Sequence, residues 1–271
     1  MEATPNRPIV ELADLIVERH DLLLIAGPCS VESEEQLVAC AELLRECGVR
    51  FMRGGAYKPR TNPYSFQGMQ QKGLELLGKI RNQFGLKIVT EIVDIEHLPE
   101  YEDTVDILQI GARNMSNFQF LKRLAPLTRK PILLKRGYSA TIEELVMAAE
   151  YLIAGGNQNV ILCERGIRTF EPMTRSTLDI SAIPIVQKLS ALPIIVDPSH
   201  ASGRSDIVIP MALGGLAAGA DGLMVEIHPN PQKALCDGLQ SLDFDKFREL
   251  IRSIDRIRPF LESQRRRETR S

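Results

Sequence analysis

The chain has 271 residues, of which 44 % are hydrophobic, and 33 lysines and arginines face 35 aspartates and glutamates. The formal charge of −2 excludes a general nucleic-acid or membrane-surface binder, and the apolar content excludes a wholly disordered chain. No apolar run approaches the roughly 20 residues that span a bilayer, and the polar stretch from Met1 to Pro8 lacks the apolar segment of a signal peptide. Cys29, Cys40, Cys47, Cys163 and Cys236 are odd in number, scattered and without a CxxC pair. That usage predicts reduced thiols in a cytoplasmic protein.

Taken in chain order, residues 9–18 fit two patterns. Ile9, Leu12, Ala13, Ile16 and Val17 share one helical face, yet Ala13-Asp14 also reads as the turn of a short hairpin. Either could plug the bottom of a barrel. Eight short apolar runs follow: Leu22–Ala26, Val49–Arg53, Lys87–Ile92, Ile107–Ile110, Pro131–Lys135, Asn159–Glu164, Pro193–Asp197 and Gly222–Ile227. They are rich in β-branched residues and apolar on both faces, as buried parallel strands are. Helical patterns lie between them. Ser33–Cys47 opens on a Ser33 N-cap and buries Leu37, Leu43 and Leu44. Thr141–Ala154 opens on a capping box of Thr141 and Glu144, and Ser205–Ala218 and Phe244–Ile257 complete the set. The tail from Ser263, with Arg265, Arg266, Arg267 and Arg270, reads as a frayed, solvated end.

Eight strands alternating with helices over about 250 residues predict an α/β fold, a single (β/α)8 TIM barrel with a short N-terminal extension. The whole chain reads as one catalytic domain, its core at about residues 20–260. A doubly wound sheet is the other arrangement of such units, but no GxGxxG turn follows the first strand.

In such barrels the active site sits at the C-terminal strand ends. Two groups of side chains gather there. Cys29, His200, Glu226 and Asp237 follow strands that become neighbours on closure, and a thiolate, an imidazole and two carboxylates suit a borderline divalent ion such as Mn, Fe, Co or Zn. Arg53, Lys58, Arg60, Arg113, Lys135 and Arg165, with Arg136 and Arg204 as further candidates, form a cationic group. Charges at buried strand ends need partners, either Glu91, Glu164 and Asp197 or a ligand carrying phosphate and carboxylate groups. A metal that polarises an aldehyde beside a phosphate-binding pocket suits carbon–carbon bond formation.

These segments resemble those of DAHP synthases, type I beta: LIAGPCSVES (24–33), FMRGGAYKPRTNPYSFQG (51–68), TEIVD (90–94), IGARNMSN (110–117), LLKRG (133–137), ILCERGIRTFE (161–171), DPSHASGRSD (197–206) and ADGLMVEIHPNPQKALCDG (220–238). The resemblance implies condensation of phosphoenolpyruvate with D-erythrose 4-phosphate, the first step of the shikimate pathway, in a dimer or tetramer. It implies that Cys29, His200, Glu226 and Asp237 hold the metal. It also implies that Arg53, Ala112, Arg113, Lys135 and Arg165 contact phosphoenolpyruvate, with Glu91 near it, and that Lys58, Arg60 and Thr61 contact the aldehyde. Lys58, Glu91, Lys135 and His200 are the candidate catalytic groups. Arg204 and Leu239 stand where the family pattern differs. The regulatory domain that many members carry does not fit in this length, so weak or no feedback inhibition is expected. The rival readings are the sister synthase that uses arabinose 5-phosphate, a Schiff-base aldolase acting through Lys135, and a non-catalytic phosphometabolite sensor. His228, two residues beyond Glu226, and Asp197 are candidates for orienting ligands.

Overall fold

The computed structural model describes residues 9–12, 14–18, 21–59 and 62–268, with side chains as far as residue 263. Eight parallel strands close into a barrel, and their residues are those of the eight apolar runs: β3 (Leu23–Gly27), β4 (Phe51–Arg53), β5 (Lys87–Glu91), β6 (Ile107–Ile110), β7 (Ile132–Lys135), β8 (Val160–Glu164), β9 (Ile194–Val196) and β10 (Gly222–Glu226). They neighbour one another in chain order, and β10 pairs with β3 to shut the sheet. No described helix is long and apolar enough to cross a membrane.

Alternation along each strand divides the apolar side chains into two cores. Leu23, Ile25, Phe51, Val89, Ile107, Leu133, Ile161, Cys163, Ile195 and Met224 point into the barrel. Their sequence neighbours, among them Met52, Ile88, Leu108, Leu134, Leu162, Val196 and Val225, point outward to the helices. Each such side chain contributes roughly 1.5–3 kcal/mol when buried. The inward set also fixes which residues face the mouth. Two positions beyond Phe51, Val89, Ile107, Leu133, Cys163, Ile195 and Met224 come Arg53, Glu91, Gln109, Lys135, Arg165, Asp197 and Glu226.

The bottom of the barrel is closed by a hairpin, which decides between the two patterns of residues 9–18. Strand β1 (Val10–Leu12) pairs antiparallel with β2 (Leu15–Val17), and Ile9, Val10 and Val17 are buried against the inward core. Alternation suits these β-branched residues better than a helix does: Val17 is buried while Ile16, beside it, is 50 % exposed. Lys87 ties the turn to the sheet through Asp14 at 2.6 Å. Ala13 and His20 lie outside the described residues, as do Arg60 and Thr61.

The helices form the outer layer. Helix α1 (Glu34–Glu46) is capped by Ser33, whose hydroxyl accepts from the Gln36 amide. Next come α2 (Gln71–Phe84), a short α3 (Leu98–Tyr101) and α4 (Phe118–Leu124), none of them marked in the sequence reading. Helix α5 (Ile142–Ala154) carries the expected capping box between Thr141 and Glu144. Two further helices, α6 (Ala182–Leu189) and the one-turn α7 (Pro198–Ser202), flank β9. Helix α8 (Val208–Ala217) starts three residues later than expected. The last, α9 (Phe244–Glu268), passes through Pro259 and extends well beyond Ile257.

Two stability outcomes follow, both measurable by urea unfolding. Val17→Asp places an uncompensated charge against the plugged core and is expected to cost about 3 kcal/mol or more. Ile16→Asp, on the solvent face of the same strand, is expected to stay within about 0.5 kcal/mol of the parent.

Candidate active site

The loop after β3, helix α7, the end of β10 and the loop after it bring four side chains able to ligate a metal to one point. One donor atom each from Cys29, His200, Glu226 and Asp237 lies within 4.8 Å of the others. Cys29 Sγ sits 3.2 Å from Asp237 Oδ2, and His200 Nε2 sits 3.2 Å from Glu226 Oε1. His200 comes from α7 rather than from a strand end. Asp197 caps that helix by accepting from the His200 amide, and its other oxygen holds His200 Nδ1 at 2.7 Å. This leaves Nε2 to face the cluster, the usual way a carboxylate orients a ligating imidazole. Burial pushes the His200 pKa below its ordinary value, which favours the neutral ring that binds metals. Asp237 holds a left-handed backbone, φ 51°, a conformation a non-glycine residue keeps only under local constraint. The donor set, one soft sulfur, one nitrogen and two carboxylates, fits a borderline divalent ion.

The cationic group meets this cluster through shared partners. Arg53 is buried and paired with Glu226, and Lys135 is buried and paired with Asp197. Burial works against both carboxylates. In the acid range where carboxylates titrate and the His200 ring is protonated, His200 and Arg53 outweigh it for Glu226, as His200 and Lys135 do for Asp197, and hold both pKa values below the ordinary range. Lys58 Nζ donates to the Cys29 carbonyl at 3.0 Å and lies 3.2 Å from its thiol. Arg165, 2 % exposed, donates to the carbonyls of Gly166 and His200 and to Ser176 Oγ, all of them neutral. Arg53, Lys58, Glu91, Ala112, Arg113, Lys135, Arg165, His200 and Asp237 line one cleft. Gly111 completes its wall: a Cβ there would lie 2.1 Å from Glu91 Oε1, so a larger residue would displace that carboxylate from its present position.

Several expectations are corrected. Arg136 has outward parity and donates to Glu164 and Asp179, each at 2.8 Å, so both it and Glu164 belong to the scaffold. Arg204 is on the surface and pairs with Asp206. His228 faces Glu32 at 3.4 Å rather than a metal ligand; Glu32 also accepts from the Leu235 amide and so ties the loop after β3 to the loop after β10. Asp197 contacts both His200 and Lys135. The aldehyde-side candidates Arg60 and Thr61 fall outside the described residues, and Lys58 alone represents them here.

Four contributors escaped the sequence reading. Gln109 lines the cleft, and its inward parity after Ile107 could have revealed it. Cys236 Sγ lies 2.8 Å from Cys29 Sγ. Burial opposes the Arg175 charge, but Asp237 at 3.3 Å outweighs it and raises the pKa. Arg175 also donates at 2.9 Å to Gln240, whose amide in turn donates at 2.6 Å to Glu226. Arg175 reaches the cleft because the long segment after β8 folds back on itself, Ile167 pairing antiparallel with Thr177. Chain order gives no sign of that return.

Known proteins share this architecture and these segments. A Thermotoga maritima protein named phospho-2-dehydro-3-deoxyheptonate aldolase is 52 % identical over 256 residues, covering 94 % of this chain and 75 % of its own length. A Desulfotalea psychrophila 2-dehydro-3-deoxyphosphooctonate aldolase is 29 % identical over 266 residues, covering 92 % of this chain and 94 % of that protein. The crystal structure of the Thermotoga maritima DAHP synthase superposes with a TM-score of 0.91 at 50 % identity, over 96 % of this chain and 76 % of that one. A truncated form of the same enzyme gives 0.87 at 47 % identity and is covered to 95 %. The profile of the DAHP synthetase I family matches residues 10–259, and the chain belongs to that family.

Proposed function

We propose that the chain condenses phosphoenolpyruvate with D-erythrose 4-phosphate, giving DAHP and inorganic phosphate as the first step of the shikimate pathway. The observation that carries this reading is the meeting of the donor cluster Cys29, His200, Glu226 and Asp237 with a cationic cleft. Six cations, Arg53, Lys58, Arg113, Lys135, Arg165 and Arg175, line that cleft. Such a cleft matches substrates that together bring two phosphates and a carboxylate. A reducing cytoplasm keeps the Cys29 thiol available as a ligand.

Arg53, Arg113, Lys135 and Arg165 together hold the phosphate and carboxylate of phosphoenolpyruvate, with the Ala112 amide as a further donor. Lys58 orients the aldehyde, with Arg60 and Thr61 on its phosphate. A divalent ion, Mn, Fe, Co or Zn, held by Cys29, His200, Glu226 and Asp237, supplies Lewis-acid polarisation of the aldehyde oxygen when bound. With the substrates so oriented, the C2=C3 π pair of phosphoenolpyruvate forms the bond from C3 to the aldehyde carbon, leaving C2 electron-poor, and the Lys58 ammonium gives a proton to the oxygen of the aldehyde carbon. Water adds at C2, with Glu91 the nearby carboxylate able to take its proton. Breaking the C2–O bond then releases phosphate and leaves the keto acid. The Schiff-base route through Lys135 is disfavoured because the lysine would have to leave its buried ion pair with Asp197.

Phosphate release, assayed in parallel with the four-carbon aldehyde and with arabinose 5-phosphate, tests the reading. Faster turnover of arabinose 5-phosphate would reassign the chain to the sister synthase. Full chelation is expected to stop turnover, with added Mn restoring it. Cys29→Ala is expected to lose more than about 100-fold in kcat/KM and to bind metal more weakly in an equilibrium titration. Undiminished activity in that variant would remove the metal assignment. Gly111→Ala pushes the Glu91 carboxylate aside and is expected to cost about 100-fold in kcat with the fold intact by circular dichroism.

A further inference from the structure

We infer that Tyr138 is a positioning residue for phosphate recognition: its ring is a neutral platform that gathers Arg113, Arg165 and Arg168 where a phosphate monoester dianion binds. This rests on the cleft being the phosphoenolpyruvate site. Tyr138 stands in the loop after β7 and lines the cleft. The guanidinium carbons of Arg165, Arg168 and Arg113 lie 4.7, 5.5 and 5.7 Å from its ring centroid. All three are within the roughly 6 Å over which an aromatic face attracts a cation.

The chemistry of the platform matters more than its shape. Three guanidiniums brought to one place repel one another before any ligand arrives. A carboxylate at position 138 would gather them but would also neutralise them and compete with the ligand. An aliphatic side chain would offer no attraction at all. An aromatic ring draws the cations in through its quadrupole while carrying no formal charge, so the dianion meets donors that are already assembled.

Two further observations support the arrangement. The Arg168 amide donates to the Tyr138 carbonyl at 2.7 Å, which stitches the loop after β8 to the loop after β7. The ring and the cations it gathers are thereby held in register by backbone. The hydrogen-bond partners of Arg165 among the described residues are neutral, so its charge is kept for a ligand. Arg168 is exposed at the rim, outside the cleft lining, and the sequence reading gave it no part. The ring contact gives it one, as the outermost of the three.

Calorimetric titration with phosphoenolpyruvate and with inorganic phosphate, alongside steady-state kinetics, tests this on the parent, Tyr138→Phe and Tyr138→Leu proteins. Tyr138→Leu is expected to weaken phosphoenolpyruvate binding about tenfold and to raise its KM in parallel, while kcat and the KM for erythrose 4-phosphate stay within about twofold. Inorganic phosphate should weaken in the same direction. Tyr138→Phe, which keeps the ring, should restore binding to within about twofold of the parent. Tyr138→Met repeats the test with an unbranched side chain should leucine disturb the loop. Parent-like binding in the leucine and methionine variants, or equal weakening in the phenylalanine variant, overturns the inference. So does a rise in both KM values together with a lowered Tm. A parent protein that binds phosphoenolpyruvate yet releases no phosphate with the aldehyde overturns the proposed reaction, and the binding comparison then still decides the role of Tyr138. A parent that does not bind phosphoenolpyruvate overturns both.

Discussion

Two buried ion pairs bridged by an imidazole close the top of the barrel. Arg53 pairs with Glu226, Glu226 faces His200, His200 is held by Asp197, and Asp197 pairs with Lys135. Arg53, Glu226, Asp197 and Lys135 are buried side chains at strand ends, where an uncompensated ion costs several kcal/mol. Each therefore depends on its neighbours. Removing one of them costs roughly 3–5 kcal/mol by leaving its partner unpaired, so the site is also part of the fold's stability. Asp197 is the hinge of this arrangement. It fixes the His200 imidazole with one contact and Lys135 with another, so the donor cluster and the cationic cleft share a single carboxylate.

Around those pairs the charge is deliberately uneven. Arg53 and Lys135 have carboxylate partners, whereas the hydrogen-bond acceptors of Arg165 among the described residues are neutral. The paired cations lie deep in the barrel, while Arg113 and Arg165 share an aromatic neighbour nearer the rim. An anion entering the cleft meets its strongest attraction where cations lack counter-ions, and the buried pairs keep the remaining positive charge from destabilising the empty site. Glu91 provides a carboxylate in this basic setting, and Gly111 makes the space for it.

Much of this was legible because a strand repeats every two residues. Once the eight runs are identified, the parity of Phe51, Val89, Leu133, Ile195 and Met224 assigns Arg53, Glu91, Lys135, Asp197 and Glu226 to the mouth. The same rule turns Arg136 and Glu164 outward, a consequence the composition of the strand ends did not suggest. What escaped was set by loops, where no period operates. Nothing local announces the turn of helix that carries His200, the return of Arg175 along the folded-back segment, or the choice of Glu32 by His228. Residues 9–18 stayed ambiguous for a different reason. Five apolar residues in a short stretch satisfy both periods, and only the open end of the barrel selects the hairpin.

The segment that carries Arg175 has one more property. Its ends are pinned, Arg165 by bonds to Gly166, Ser176 and His200 and Arg175 by Asp237 and Gln240, and the Ile167–Thr177 pairing joins its two arms. Its tip is different: Phe170 and Met173 stand out in solvent. The covalent link through that tip therefore contributes little to the geometry of the mouth. A break in the chain opened there would leave both arginines in place, and so would an inserted reporter domain. The segment is a natural seam, at which the barrel can be cut and re-sewn without touching its chemistry.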